Sequence, residues 1–76
     1  MMAVTEKIRA LLSLSNKKNI ELAAYLGISP QSMQNKLSRG SFSAEDLIKI
    51  AEFTGSELAF STQNNQKITL DKADIR

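Results

Sequence analysis

The sequence contains no cysteine and no histidine. Without cysteine there is no disulfide framework and no thiolate metal site. Without histidine, the commonest general base and the commonest transition-metal ligand are both missing. The carboxylates are scattered at predicted helix starts, where capping and the helix dipole account for them. We therefore expect no enzyme, no metal site and no cofactor.

Long apolar runs are also lacking. No stretch approaches the ~18 apolar residues of a membrane span, and no signal-like segment opens the chain. We therefore expect a cytoplasmic protein without membrane contact. The 76 residues predict a single domain over 1–76 with a thin core, because a chain of this size buries only about 60% of its unfolded surface.

Glycine and proline are scarce, and each stands at a predicted helix end. Gly27, Gly40 and Gly55 each follow a segment of helical period, where a residue that tolerates left-handed backbone angles often ends a helix. Pro30 suits the first position of a new helix, because its missing N–H would be unpaired there anyway. Ser29, directly before it, is a good N-cap.

Apolar residues at intervals of three or four predict four helices over residues 4–55. We expect the first at 4–14, the second at 19–26, the third at about 30–39 and a fourth that Ser43 caps and Gly55 ends. The predicted inward positions are Val4, Ile8, Leu11 and Leu12, then Leu22 and Leu26, then Met33 and Leu37, then Leu47, Ile50, Ala51 and either Phe53 or Thr54.

Residues 19–40 have the form of a helix-turn-helix, with two short helices joined by a turn of about four residues. Ala23 is small, so the second helix can cross close over the first. Ile28 is apolar and can fill the corner between them.

The run LAAYLGIS followed by a polar helix resembles the DNA-binding helix-turn-helix of the Cro and phage-repressor type. The resemblance covers residues 19–40 closely and 4–55 loosely. It implies a lambda-repressor-like, mainly α domain whose third helix enters the major groove of DNA. One position departs from the family pattern, because Lys36 stands where a large apolar residue is usual, and the apolar residue here is Leu37.

The third helix has an outer face of amides, hydroxyls and cations without an acid. At about 100° per residue, Asn35 points opposite the apolar pair, flanked by Gln31 and Arg39. Asn and Gln side chains match adenine, and Arg and Lys match guanine or phosphate. The resemblance places the base contacts at Gln31, Ser32 and Asn35. The alternative is an ordinary solvent-facing helix that carries such residues by chance.

The candidates for contact with the DNA backbone lie around both ends of the motif. They are Lys17, Lys18, Asn19, Lys36 and Arg39. In the family an amide at the start of the second helix often bonds a phosphate, and Asn19 could do so with help from the free N–H groups of the helix end. The structural alternative, compatible with this role, is that Asn19 caps the helix.

The charge is uneven along the chain. Residues 1–40 hold six Lys and Arg against two Glu, a net charge of +4, whereas residues 41–76 hold four cations against six acids, a net charge of −2. The half with the motif is therefore the basic one, as an anionic partner requires. A solvated surface with unevenly placed charges is the alternative.

After Gly55 the apolar period becomes two, which predicts a β-hairpin over 56–71 with strands around 57–62 and 66–70. Its apolar residues are Leu58, Phe60, Ile68 and Leu70. Two explanations stay open: this face packs on helix one or helix four of the same chain, or it forms the interface of a homodimer. The tail, 72–76, is expected to fray unless Ile75 docks.

Two functional hypotheses follow. The first is a sequence-specific DNA-binding transcriptional regulator, a repressor that binds double-stranded operator DNA as a homodimer. The second is an antitoxin-like or adaptor module that binds a protein partner, with DNA binding secondary. The acid-free face of the third helix favours the first, and an exposed apolar patch on the hairpin would favour the second.

Overall fold

The computed structural model describes residues 3–75. They form helices α1 Val4–Leu14, α2 Asn19–Leu26, α3 Pro30–Arg39 and α4 Ala44–Thr54, strands β1 Leu58–Ser61 and β2 Lys67–Leu70, and a 3-10 turn at Lys72–Asp74. The predicted fold class, four helices followed by a hairpin, is confirmed. None of the helices within this part of the chain has the length and apolar character that crossing a bilayer requires.

The corner between α2 and α3 follows the predicted chemistry. Gly27 adopts a φ of 74°, which a residue with a side chain rarely tolerates. The Ile28 N–H then donates back to the Ala23 carbonyl at 3.0 Å. Ser29 caps α3, since its hydroxyl accepts a hydrogen bond from the Ser32 N–H at 3.1 Å. Local residues thus fix the angle at which α3 leaves α2.

The hydrophobic core lies between the helices. Its buried members are Ile8, Leu12, Leu22, Ala23, Met33, Leu37 and Ile50, with Leu11, Leu26, Ile28, Phe42, Leu47 and Phe53 packed half-buried around them. Val4 was predicted to face inward, and this is wrong, because its side chain is 48% exposed. Val4 is the first residue of α1, so a helical turn follows it but none precedes it to cover its side chain.

Helix α4 is buried on a second side that the sequence analysis missed. Ile48 is buried yet stands outside the main core cluster. Together with Ala51 it lines a depression of about 200 Å³, whose opposite wall includes Leu58 and Leu70 of the hairpin. Both leucines are half-buried. This end of the hairpin therefore packs on α4 of its own chain.

The other end of the hairpin presents its apolar side chains to solvent. The strands are antiparallel, and Leu58 pairs with Leu70 while Phe60 pairs with Ile68. Alternate residues of a strand share a face, so all of these lie on one side of the sheet. Phe60 is 66% exposed and Ile68 is 60% exposed. The apolar face thus continues beyond the part that α4 covers.

The last described residues return to α4. Lys72–Asp74 forms the 3-10 turn, and the Lys72 ammonium lies 3.5 Å from a carboxylate oxygen of Glu52. Ile75 is half-buried. Residues 72–75 are therefore held at least by this ion pair, whereas Arg76 lies outside the described residues.

Candidate nucleic-acid interface

The predicted base-reading residues of α3 lie together on its outer surface. Gln31, Ser32 and Asn35 are all exposed, because the buried Met33 and Leu37 face the opposite way. The Gln31 side-chain amide donates to Asn35 Oδ1 at 3.4 Å. The Asn35 amide nitrogen and the Gln31 amide oxygen remain available, so the pair presents both donors and acceptors.

Ser32 takes part in the cap of its own helix. The Ser29 hydroxyl donates to the Ser32 hydroxyl oxygen at 3.0 Å and accepts from the Ser32 N–H. The proton of the Ser32 hydroxyl is therefore left to donate outward. No acidic side chain occupies the first turn of α3, so the free N–H groups there keep their attraction for anions.

Asn19 lies beside the first half of α3. It lines a shallow depression of about 200 Å³ with Ile20 of α2 and with Pro30, Met33 and Gln34 of α3. The start of α2 and the first half of α3 thus lie next to each other. The proposed capping role of Asn19 is not what the structure shows, because Asn19 is the first helical residue and Lys18 occupies the N-cap position.

Lys18 and Glu21 take over the capping of α2. The Lys18 backbone N–H donates to Glu21 Oε1 at 2.9 Å, which satisfies a donor that the helix itself cannot. Because Glu21 bonds to the Lys18 backbone, this contact does not involve the Lys18 ammonium. The Lys18 side chain is exposed.

Lys36 is paired within the chain. Its ammonium lies 2.8 Å from Asp46 Oδ2 at the start of α4, and the two side chains are 29% and 17% exposed. Burial raises the pKa of Asp46, but hydrogen bonds from Lys36 and Ser43 and the charge of Lys36 outweigh it and lower that pKa below its usual value. The phosphate contact expected of Lys36 therefore competes with an existing partner.

Lys17 also has a partner in α4. Its ammonium lies 5.1 Å from the centroid of the Phe53 ring, a cation–π geometry. The Tyr25 ring packs 4.9 Å from the same ring, and the Tyr25 hydroxyl donates to Glu52. That hydrogen bond raises the pKa of Tyr25 and lowers the pKa of Glu52. Lys17 thus packs on α4 instead of standing free at the start of α2.

The other charged residues fall into two groups, those that form ion pairs and those that do not. Acids of α4 and the hairpin are paired with nearby lysines as Lys49–Glu45, Lys67–Glu57 and Lys72–Glu52. Among residues 3–75, no ion pair involves Lys7, Arg9, Lys18 or Arg39. Of these four cations, two belong to α1 and one lies at each end of the helix-turn-helix.

Comparison with known protein families matches residues 3–64 to the bacteriophage CI repressor helix-turn-helix domain. The chain belongs to this family. The resemblance to phage-repressor proteins, first indicated by residues 19–40, is thereby confirmed. No curated protein and no solved structure gave a match.

The CI repressor family is a family of DNA-binding transcriptional regulators and not of enzymes. Membership in it makes this chain a DNA-binding transcriptional regulator. The matched segment contains α1 to α4 and β1, and it ends in the hairpin turn before β2 begins at Lys67. The CI-type helix-turn-helix is therefore matched in full, and the second strand lies outside the match.

Two residues that lie beside the predicted site residues were not predicted from the sequence. One is Asp46, the partner of Lys36, because an acid three residues after Ser43 is already explained by capping of α4. The other is Gln34, which lines the same depression as Asn19. Its signal is its spacing of four residues from Pro30, which puts both side chains on the same flank of the helix.

Proposed function

We propose that this CI-type protein is a cytoplasmic, sequence-specific repressor that binds operator DNA as a homodimer, with α3 in the major groove. One observation carries the proposal: the exposed amides of Gln31 and Asn35 lie side by side on an acid-free helix face. In a family of DNA-binding regulators, such a face suits direct reading of base edges.

Gln31, Ser32 and Asn35 are the proposed base readers. A carboxamide can donate to and accept from adenine at the same time, through N7 and N6. The Gln31 amide nitrogen lies 3.4 Å from Asn35 Oδ1, so the two amides present their donors and acceptors next to each other. Ser32 supplies a single hydroxyl donor at the start of the helix.

Lys18, Asn19 and Arg39 are the proposed phosphate contacts that fix the register of α3. They are exposed, and no ion pair among residues 3–75 occupies the two cations. Asn19 lies at the start of α2, where its side-chain amide can donate to a phosphate oxygen. Contacts of this kind position a protein on DNA without reading its sequence.

The proposed dimer interface is the exposed end of the hairpin, centred on Phe60 and Ile68. Their paired side chains form an apolar surface that α4 does not cover. Leu58 and Leu70, also proposed for this interface, lie on the same face of the sheet but pack on α4 at its other end. A second hairpin would cover the exposed pair and could also satisfy an open strand edge. Two-fold symmetry would place two recognition helices about 34 Å apart on one face of DNA.

Selection of bound duplexes from a random pool tests the proposal. We expect a consensus of two inverted half-sites whose centres lie about one helical turn apart. Enrichment of a single half-site would contradict the homodimer while leaving base reading intact. Retention of DNA without any enrichment would contradict sequence-specific binding, and it would favour a protein-binding adaptor.

A further inference from the structure

The ion pair between Lys36 and Asp46 is built into the cap of α4. Asp46 Oδ2 accepts from the Lys36 ammonium at 2.8 Å and from the Ser43 N–H at 3.0 Å. The Asp46 N–H in turn donates to the Ser43 hydroxyl at 3.0 Å. The carboxylate that Lys36 meets is therefore held by a hydrogen bond from the Ser43 N–H, and the Asp46 backbone is held by a second one to the Ser43 hydroxyl, unlike a mobile surface acid.

Helix α3 has few other restraints on its rotation. Its buried side chains are Met33 and Leu37, which form a narrow stripe of one helical turn, whereas a wider stripe is usual for a helix of a globular domain. Helix α3 packs chiefly on α2. Within residues 3–75, two hydrogen bonds that involve side chains join α3 to another helix. They are Lys36–Asp46 and Thr5–Leu37.

The position of Lys36 makes this restraint relevant to DNA. It directly follows Asn35 and precedes the buried Leu37, so its side chain leaves the helix at the flank between the outer face and the core. A rotation of α3 that lengthened the bond from Lys36 to Asp46 would move Asn35 with it.

We propose that Lys36 is a positioning residue for sequence reading, which acts through Asp46 to set the rotation of α3, and that it is not a phosphate contact. The inference rests on the proposed base reading by α3. A partly exposed ion pair adds little to stability, so its effect should be found in specificity. The pair is also neutral as a unit, so it should add little to the attraction for phosphate.

The test compares Lys36→Met, Asp46→Asn and the double variant with the wild type. The readout is the ratio of dissociation constants for the selected duplex and a scrambled duplex. This ratio does not depend on the folded fraction, because unfolding weakens binding to both duplexes by the same factor. Circular dichroism confirms that each variant is folded.

We expect the preference for the selected over the scrambled duplex to fall about tenfold in each single variant, which is the size of one weakened base contact. The double variant should lose no more than either single one, because all three remove the same ion pair. Lys36→Arg should retain the ratio, since a guanidinium can still reach the carboxylate. Lys49→Met removes an equal charge from the Lys49–Glu45 pair and should leave the ratio unchanged.

A phosphate role for Lys36 predicts the opposite pattern. Lys36→Met would then flatten the salt dependence on scrambled DNA by roughly one unit of slope, while Asp46→Asn would release Lys36 and strengthen binding to every duplex. Either result overturns the inference, as does an unchanged ratio in Lys36→Met. If the wild type itself shows no preference for the selected duplex, the proposed function fails, and the inference with it.

Discussion

The Thr5 hydroxyl donates a hydrogen bond of 2.6 Å to the backbone carbonyl of Leu37 and so joins the start of α1 to the end of α3 across 32 positions of sequence. Carbonyls in the last turn of a helix lack partners within the helix. Here the N–H groups of Gly40 and Ser41 both go to the Lys36 carbonyl. Thr5 therefore satisfies a carbonyl of α3 that these two groups do not reach.

Thr5→Val should lower the free energy of unfolding by about 1 kcal/mol, because it keeps the branched shape and removes the hydroxyl donor. Thr5→Ser is the matched control, since it retains the donor. Urea denaturation of both variants measures the difference. A valine variant as stable as the wild type would show that water replaces Thr5 at no cost.

Arg39→Gln should weaken binding to every duplex and reduce the slope of log affinity against log salt by roughly one unit. The reason is that Arg39 is exposed and makes no ion pair within residues 3–75. Lys49→Gln, which removes a cation already paired with Glu45, should leave the slope nearly unchanged. An unchanged slope with altered sequence preference in Arg39→Gln would identify Arg39 as a base reader.

Phe60→Asp should convert a homodimer into a folded monomer with much weaker operator binding. Phe60 is 66% exposed in the single chain, so a charge there costs the isolated fold little. Sedimentation gives the mass, and circular dichroism gives the helical content. A dimer that persists would place the interface elsewhere, and lost helical signal would reveal a role within the core.

Leu58→Asp provides the contrast for that experiment. Leu58 is half-buried against α4, so an aspartate there should destabilise the chain itself, because it buries a charge without a partner. We expect a lower melting temperature in Leu58→Asp than in Phe60→Asp. Equal melting temperatures would mean that the two ends of the hairpin are not packed differently.

Acid should remove the contribution of Asp46 to stability. Its pKa is lowered in the folded chain, so the stabilisation is present above the ordinary carboxyl value of about 3.9 and is lost as the pH falls through the lowered folded pKa. We expect the wild type to be slightly more stable than Asp46→Asn near neutral pH, with a small gap that shrinks in acid. Urea denaturation at several pH values measures it, and a gap independent of pH would contradict the linkage.

The helix ends could be predicted because their causes are local. The segment predicted at 19–26 is α2 Asn19–Leu26, since Gly27 and Ser29 carry the signals that end one helix and begin the next. The burial of Ile48 could not be predicted in this way. It depends on a hairpin that starts ten positions later and covers a second side of α4, whereas helical periodicity indicates a single buried face.

The candidate site was predictable only in part. The outward direction of Gln31, Ser32 and Asn35 follows from helical geometry once Met33 and Leu37 face inward, and their exposure agrees with it. Contacts between side chains of different segments could not be predicted from helical periodicity. A lysine can reach toward solvent, a carboxylate or an aromatic ring, and the sequence alone does not show which of these partners the fold brings near. The ion pair of Lys36 and the ring contact of Lys17 are both of this kind.

The affinity ratio of Asn35→Ala tests most directly whether the exposed amides of α3 read bases. The ratio compares the dissociation constants of the selected and scrambled duplexes. We expect a loss of ~1–3 kcal/mol of discrimination in Asn35→Ala and in Gln31→Ala, with binding to the scrambled duplex unchanged. Gln63→Ala, which removes an exposed amide from the hairpin turn, should preserve the ratio. Equal loss of affinity for both duplexes in Asn35→Ala and Gln31→Ala would contradict the account.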